Sequence, residues 1–394
     1  MTCKVAVIGG GPAGAICSLQ LARSGVDVSL FEQNPQHEKP CGGGLTPRAI
    51  KCLPNWRTLS VDGTDITRWK LISPNGCPTH LELSDPIRIV SRHRLDSALR
   101  RLAISAGATF TEETVRKLSR TPRNGWRVNG RDVDIVVGAG GINDPLARLV
   151  GLSIPLAQRA QAVGYFVPGR FPQQIICRFF SGLRGYAWWF PRPDHASLGI
   201  ESFQVPFRPK QTRSLLDRFI RQDLCHLSNP PNSIDLNHAK SYSWSEPIPT
   251  PKILKSRQLN GRNWLLIGDA AGLVDAVTGE GIPYALSSGR LAAKAILSGD
   301  LSAYSMIIKN EMIPELISAA WMSPLFYYSP FLRGSFFMLA NSKTMQGITK
   351  DMAVGRQSYR QAKWRILQDA PRIIKDLGNY LAHKTKEKGA LHAS

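Results

Sequence analysis

The stretch that decides the fold is Val5-Ala6-Val7-Ile8-Gly9-Gly10-Gly11-Pro12-Ala13-Gly14. Its apolar run predicts a buried strand and its glycines a tight loop, while Ala15, Leu19 and Ala22 recur at helical spacing until Gly25 stops the helix. Asp27 to Phe31 alternates as a second strand, and Glu32 ends it. In such a strand–loop–helix, the first-turn amides face an anion, and an acid about 20 residues after the glycines accepts the hydroxyls of an adenosine ribose. A structural glycine turn would lack that acid. Gly9, Gly11, Ala13, Gly14 and Glu32 are therefore candidate cofactor contacts, and the carboxylate, which would repel a 2′-phosphate, selects FAD or NAD.

With 394 residues, 43% of them hydrophobic, the chain has the material for a large core in two lobes. Seven cysteines without paired spacing imply neither a disulfide framework nor a metal site. The first strand begins within a few residues of Met1 and no apolar run reaches spanning length, so a cytoplasmic protein is expected, one that could lie at the inner face of a membrane. The formal charge of +21 suits an anionic membrane surface or a nucleic acid, and no nucleic-acid module is present in the sequence.

Further along, Lys39-Pro40-Cys41-Gly42-Gly43-Gly44-Leu45 is a loop able to pack on a planar ring, which makes Cys41, Gly42 and Gly44 candidates, Cys41 as a small packing residue. Residues 66 to 90 read as short strands with turns at Pro74-Asn75-Gly76 and Asp85-Pro86. Arg92 opens a helix patterned by Leu95, Leu99 and Leu102, and is placed to fork onto a pyrophosphate; His93 reads as a surface residue. A strand Thr109–Val115, a hairpin at Arg123-Asn124-Gly125 and a strand Val133–Val137 ending in Gly138-Ala139-Gly140-Gly141 follow.

This order of motifs resembles the flavoprotein family that contains p-hydroxybenzoate hydroxylase, and more closely the geranylgeranyl reductases. That resemblance implies FAD and adds Val115 to the cofactor contacts. The pattern's usual Asp is Gly140 in this chain. In Gly185-Tyr186-Ala187-Trp188-Trp189-Phe190-Pro191, alternation puts Tyr186, Trp188 and Phe190 on one sheet face. The residues alone leave a core strand or a cavity wall open. The stretch is similar to the Tyr-x-Trp-x-Phe-Pro motif facing the prenyl chain in geranylgeranyl reductases, which implies substrate contact. It also resembles the Trp-x-Trp-x-Ile-Pro pattern of flavin-dependent halogenases, whose lysine after a glycine-rich loop has no counterpart here, Lys70 lying in no such loop.

Trp264 to Ile267 reads as a strand delivering Asp269 toward a ribityl hydroxyl, or as a helix cap. Gly279-Glu280-Gly281-Ile282-Pro283 opens a helix to about Leu297, and the amides of Gly281 and Ile282 at its positive end would stabilise a reduced flavin. Both stretches match the family. No second GxGxxG occurs, so NAD(P)H would dock transiently, or a ferredoxin-like carrier would donate electrons.

The expectation is an α/β protein with a Rossmann-type FAD-binding lobe (1–155 with 257–302), an interleaved antiparallel-sheet substrate lobe (66–92 and 156–256) and a helical C-terminus (303–394). The implied activity is reduction of carbon–carbon double bonds in an isoprenoid or lipid substrate by hydride from reduced flavin. No catalytic residue is assigned from the sequence. A monooxygenase or halogenase would share the fold, as would a flavin-bearing membrane protein without activity. At the C-terminus, Pro330 and Arg333 break the aromatic run Pro324–Ala340. Ile373, Ile374, Leu377, Tyr380 and Leu381 are expected on one stripe that packs on the body or, with Lys375, Lys384, Lys386 and Lys388, on a membrane, which residues 355–394 would then anchor.

Overall fold

A computed structural model describes residues 3–54, 56, 59–227 and 234–391, with side chains through 382 apart from 226. Lys4–Ile8 forms a strand buried on both faces, as a parallel sheet covered by helices requires. It pairs in parallel with Asp27–Glu32 on one side and Ile135–Gly138 on the other, in a six-stranded sheet completed by Thr109–Glu112, Trp264–Leu266 and Asn260–Gly261. The helices Pro12–Arg23, Arg92–Ser105 and Ile282–Leu297 pack together on this lobe. Ser91 caps the second of them by accepting from Arg94 N, and Gly25, at φ 78°, follows the first.

The chain leaves this sheet twice to build another. The eight-stranded sheet runs Lys240–Pro247, Arg159–Pro168, His195–Ser202, Gly185–Pro191, Ile175–Phe179, Gly63–Ile72, Pro78–Val90, Gly44–Leu45. It is antiparallel except where Ile175–Phe179 joins Gly63–Ile72 in parallel. That exception arises because the chain returns through the first sheet between those strands, a crossover that can deliver either direction.

Four local expectations are corrected. Residues 63–90 form two long strands with a single hairpin turn at 74–77, and Asp85-Pro86 is no turn. The ladder skips there from Arg68↔Glu82 to Ile66↔Ile87, so Pro86, which lacks an N–H, falls in a bulge. The strand expected over Thr109–Val115 ends at Glu112, because Asn129 Oδ1 accepts from both Arg116 N and Lys117 N and draws the chain off the sheet. The strand expected over Val133–Val137 is two, Arg131–Val133 and Ile135–Gly138, since Asp134 turns its carboxylate back to Lys4 N at 2.7 Å.

From Leu301 the chain is helical: Leu301–Glu311, Ile313–Phe326, Ser329–Asn341, Lys343–Ala353, Tyr359–Gln368 and Ala370–Leu391. Pro330 starts the third of these, where a missing N–H costs nothing. The expected single stripe on the last helix divides in two. Ile373, Leu377 and Tyr380 turn toward the neighbouring helices, with the Tyr380 ring 6.0 Å from Phe337, whereas Ile374 and Leu381 are 68% and 54% exposed. At 100° per residue, 374 and 381 share a line a quarter-turn from 373. The side chains of Lys384, Lys386 and Lys388 lie outside the described residues. Among the described residues no helix is long and apolar enough to cross a membrane.

Candidate active site

A cavity of about 1910 Å³ runs between the two sheets and into the C-terminal helices. Ligand sites commonly measure about 300–1,000 Å³, so it has room for a dinucleotide and a second molecule. Every residue proposed from the sequence lines it except Gly14.

At one end is the glycine loop. Gly14 is turned inward: a Cβ there would stand 1.9 Å from Gly9 O, so only glycine lets the helix lie on the strand end. Gly11, by contrast, has open space in front of it. Glu32 accepts from Gly10 N at 2.8 Å and Asn34 N at 3.0 Å, which holds the carboxylate at the rim with acceptor capacity to spare. Arg100, which the sequence reading missed, donates to Gly10 O and Pro35 O from the inner face of its helix. Its spacing of eight from Arg92 was the available signal.

Arg92 is buried, and its fork is engaged by Asp96 at 3.0 and 2.9 Å. Asp96 thus fixes the guanidinium through Nε and Nη2, leaving Nη1 free of it where Arg92 lines the cavity. Gly140 differs from the expectation drawn from its family. Its N–H donates to Asp144 Oδ2, and a Cβ at 140 would lie 2.9 Å from that oxygen. Asp144 thus occupies the space a side chain at 140 would need, capping Pro145–Leu149 through Ala147 N. Burial raises its pKa to about 6.

The Pro-Cys-Gly-Gly loop is held from the second sheet. Buried Arg192 donates to Glu38 Oε1 at 2.7 Å and Cys41 O at 2.8 Å, and Ser197 Oγ also reaches Cys41 O. Glu38 in turn accepts from Ser91 and from Arg92 N. Burial works to raise the Glu38 pKa, but Arg192 and these donors overcome it and hold it below the usual value. Arg192 follows the aromatic motif directly, yet nothing in the sequence tied it to residue 38. Arg192→Ala should cost about 2–3 kcal/mol, because it leaves a partly buried carboxylate and the Cys41 carbonyl without their cation, although Ser91 and Arg92 N still donate to Glu38. Urea unfolding of the variant, with Arg192→Lys as partial rescue, checks this; a loss below about 1 kcal/mol would refute it.

Asp269 lies in the short turn Gly268–Ala271 and caps no helix; it pairs with Lys39 Nζ at 2.8 Å. Burial opposes ionisation there, but Lys39 and Arg92 keep the pKa below the ordinary carboxylate range. The helix Ile282–Leu297 presents its N-terminus beside it.

Beyond lies the aromatic wall. Tyr186 donates to Thr278 O at 2.7 Å, Trp188 Nε1 to Ser197 Oγ at 3.1 Å, and the Phe190 ring closes so tightly on Gly42 that a Cβ there would lie 2.0 Å from it. Trp189, facing the other way, packs edge-on against Phe171 in a separate core. The cavity continues past Phe179, Tyr327 and Phe336 into a methionine-lined end formed by Met338, Met345 and Met352. No sequence signal joined those helices to the site. Among the described residues no cluster could hold a metal ion.

The glycine loop, the open face of Gly11, the rim carboxylate and the second glycine loop, connected through one cavity, fit FAD. The family model that matches, an FAD binding domain, covers residues 2–59. The chain is 27% identical over 432 residues to a chloroplastic geranylgeranyl diphosphate reductase of Arabidopsis thaliana, spanning 95% of this chain and 85% of that protein. It is 30% identical over 333 residues to a menaquinone reductase of Mycobacterium tuberculosis, spanning 76% and 77%. A geranylgeranyl bacteriochlorophyll reductase-like protein of Thermoplasma acidophilum shares the fold, with a TM-score of 0.72 at 20% identity over 96% of this chain and 100% of that one. The class is thus a FAD-dependent oxidoreductase. Within that class, the chain belongs to the geranylgeranyl reductase family.

Proposed function

We propose that this enzyme hydrogenates carbon–carbon double bonds of an isoprenoid chain carried by a lipid, a quinone or a diphosphate. The observation that carries the reading is the continuity of the cavity: the cofactor cradle opens without interruption onto an aromatic wall and then an apolar, methionine-rich end. A flexible hydrocarbon would lie along that wall, and unbranched methionines adapt to it. Bound FAD in its reduced state supplies hydride. The chain's own part is to place the double bond, exclude water and hold charge near Gly281 and Ile282. The relatives named as reductases of geranylgeranyl diphosphate and menaquinone support this substrate class. Anaerobic reduction followed by mass analysis of prenyl substrates tests it, with gains of two hydrogens expected. Oxygenated products and NADPH oxidation stimulated by substrate would select a monooxygenase instead. Lys70 does not supply the halogenase lysine: its strand neighbours Trp69 and Leu71 face the cavity, and it sits near Asp223 on the other side.

Electrons would come from transiently docked NAD(P)H or a ferredoxin-like carrier, to which a basic surface is suited. We also propose peripheral membrane contact at the cavity mouth. Phe331, Lys363, Ile366 and Leu367 line the cavity while being solvent-exposed, and Trp364 beside them is 57% exposed. Removing residues 355–394 is a poor test, because Tyr359 bonds Asp275 and Glu315 in the body. Trp364→Glu or Leu367→Glu should instead weaken co-sedimentation with anionic vesicles about tenfold each, since a buried large apolar side chain contributes about 1.5–3 kcal/mol. Unchanged sedimentation of both variants at low salt would count against the mouth as the contact.

A further inference from the structure

Two strands of the eight-stranded sheet each bring a carboxyl group to the cavity wall. Glu201 stands opposite Tyr186 on one side and Ala162 on the other, and Glu246 stands opposite Ala160. Cross-strand partners and residues two apart share a face, so Tyr186, Glu201 and Glu246 form one patch, with only alanines between the acids. Both carboxyls line the cavity. They converge on one point: a Cβ at Gly279 would stand 2.7 Å from Glu246 Oε1 and 2.9 Å from Glu201 Oε2. Gly279 lies two residues before Gly281, where the helix that would face a reduced flavin begins. The acids therefore sit between the aromatic wall and the cofactor end.

No Lys or Arg among the described residues pairs with them directly, and the nearby cation, Lys39, is engaged by Asp269. Glu201 is only 5% exposed. Glu246 keeps some surface because it faces the cavity, yet its Oε1 is sealed from solvent, and the hydrogen-bond partner within its reach is the Glu201 carboxyl. Such a pair costs stability and caps no helix. Two close carboxyls without a cation resist ionising together, so the second proton is held to a raised pH and a doubly ionised pair is quickly reprotonated.

We propose that Glu201 and Glu246 share one proton and are the acid that completes double-bond reduction. The proposal rests on the function argued above. When one alkene carbon has received hydride from the bound cofactor, the other takes H⁺: an O–H bond of the pair breaks, a C–H bond forms, and two carboxylates remain. The pair then regains a proton from water. Burial raises Glu201 to about 7 and lifts Glu246 well above its ordinary value, with Glu201 adding to the latter. The groups facing the pair are Tyr186, Tyr327 and Tyr242, all held neutral by burial, with Asp269 raising and Lys39 lowering Glu246. A raised carboxyl pKa means the donor is present at low pH: the pair gives up a first proton near pH 7, and the one it then shares is lost only as pH rises further, because ionised Glu201 raises Glu246.

Infrared difference spectra of the FAD-loaded protein, without substrate, should show a protonated-carboxyl band that weakens as pH passes about 7 and is lost only at higher pH. Its midpoint should move in Glu201→Gln or Glu246→Gln, and the band should vanish in the double variant. Flavin content and melting temperature should hold, because neutral amides replace uncompensated acids. In anaerobic single turnovers with a geranylgeranyl substrate, the double variant should be slower by about 10²–10⁴ and lose the alkaline decline of the unaltered enzyme. A missing band, or a double variant at full rate with its pH profile intact, would overturn the acid assignment alone. An unaltered enzyme that shows the band but reduces no prenyl chain would sink the functional reading and the acid's role with it.

Discussion

Glu32→Arg protein is expected to purify without FAD. The unaltered carboxylate takes Gly10 N and Asn34 N at 2.8 and 3.0 Å, so it shapes the phosphate loop as well as the rim that would meet a ribose. An arginine cannot accept those hydrogen bonds, and it would place a second guanidinium near Arg100, whose carbon chain would lie 2.8 Å from a Cβ at Gly10. A charge-assisted hydrogen bond contributes about 1.5–3 kcal/mol. Losing the two that the carboxylate would accept from the ribose hydroxyls weakens FAD binding by about 10²–10⁴, before the disturbed loop and the repulsion are counted. The flavin-to-protein absorbance ratio measures this directly, and fluorescence titration of the apoprotein gives the affinity change. Stoichiometric flavin in the variant would remove Glu32 from the cofactor site.

Trp188→Ala should lose about a hundredfold in prenyl reduction while keeping its FAD. Its ring is buried on the cavity side, spans the space above Gly199 and is oriented by Ser197 Oγ. Removing it leaves a flexible chain without its wall, and misplacement by about 1 Å can cost about 10²-fold in rate. The stability loss should reach at most about 3–5 kcal/mol, the cost of truncating a fully enclosed aromatic, since one side of this ring already faces a void. Tyr186→Ala should follow with a smaller effect, as its hydroxyl also tethers Thr278 O. Single-turnover kinetics beside flavin content separates the outcomes: full turnover, or loss of FAD in parallel with turnover, would return these rings to ordinary core.

What was legible in the sequence were the contacts made by residues near one another in the chain. Gly9 to Glu32 is one strand–loop–helix–strand unit, and its meaning is contained in spacing alone. The alternation that turns Tyr186, Trp188 and Phe190 one way and Trp189 the other is likewise a property of a single strand, whatever it packs against. The errors came where a local signal met a distant partner. Asp85-Pro86 resembles a turn, yet the facing strand absorbs it as a bulge. Arg92 reads as an anion fork, and only the fold shows that Asp96 occupies its Nε and Nη2 edge. The apolar positions of the last helix look like one stripe until Phe337 and its neighbours decide which of them are inside.

By itself, then, the sequence determined a dinucleotide-binding strand–loop–helix and an aromatic strand with Tyr186, Trp188 and Phe190 on one face, because each depends on residue type at short, fixed separations; the choice of FAD and of a substrate wall came from the resemblance of those motifs to a family. Only the tertiary structure decided that Arg192 locks the cysteine–glycine loop through Glu38, that helices beyond residue 313 close the far end of the cavity, and that Glu201 and Glu246 meet over Gly279. These are meetings of residues from 33 to more than 150 positions apart. Their energies come from burial and charge compensation, which depend on what surrounds a group in space and leave no periodicity in the chain.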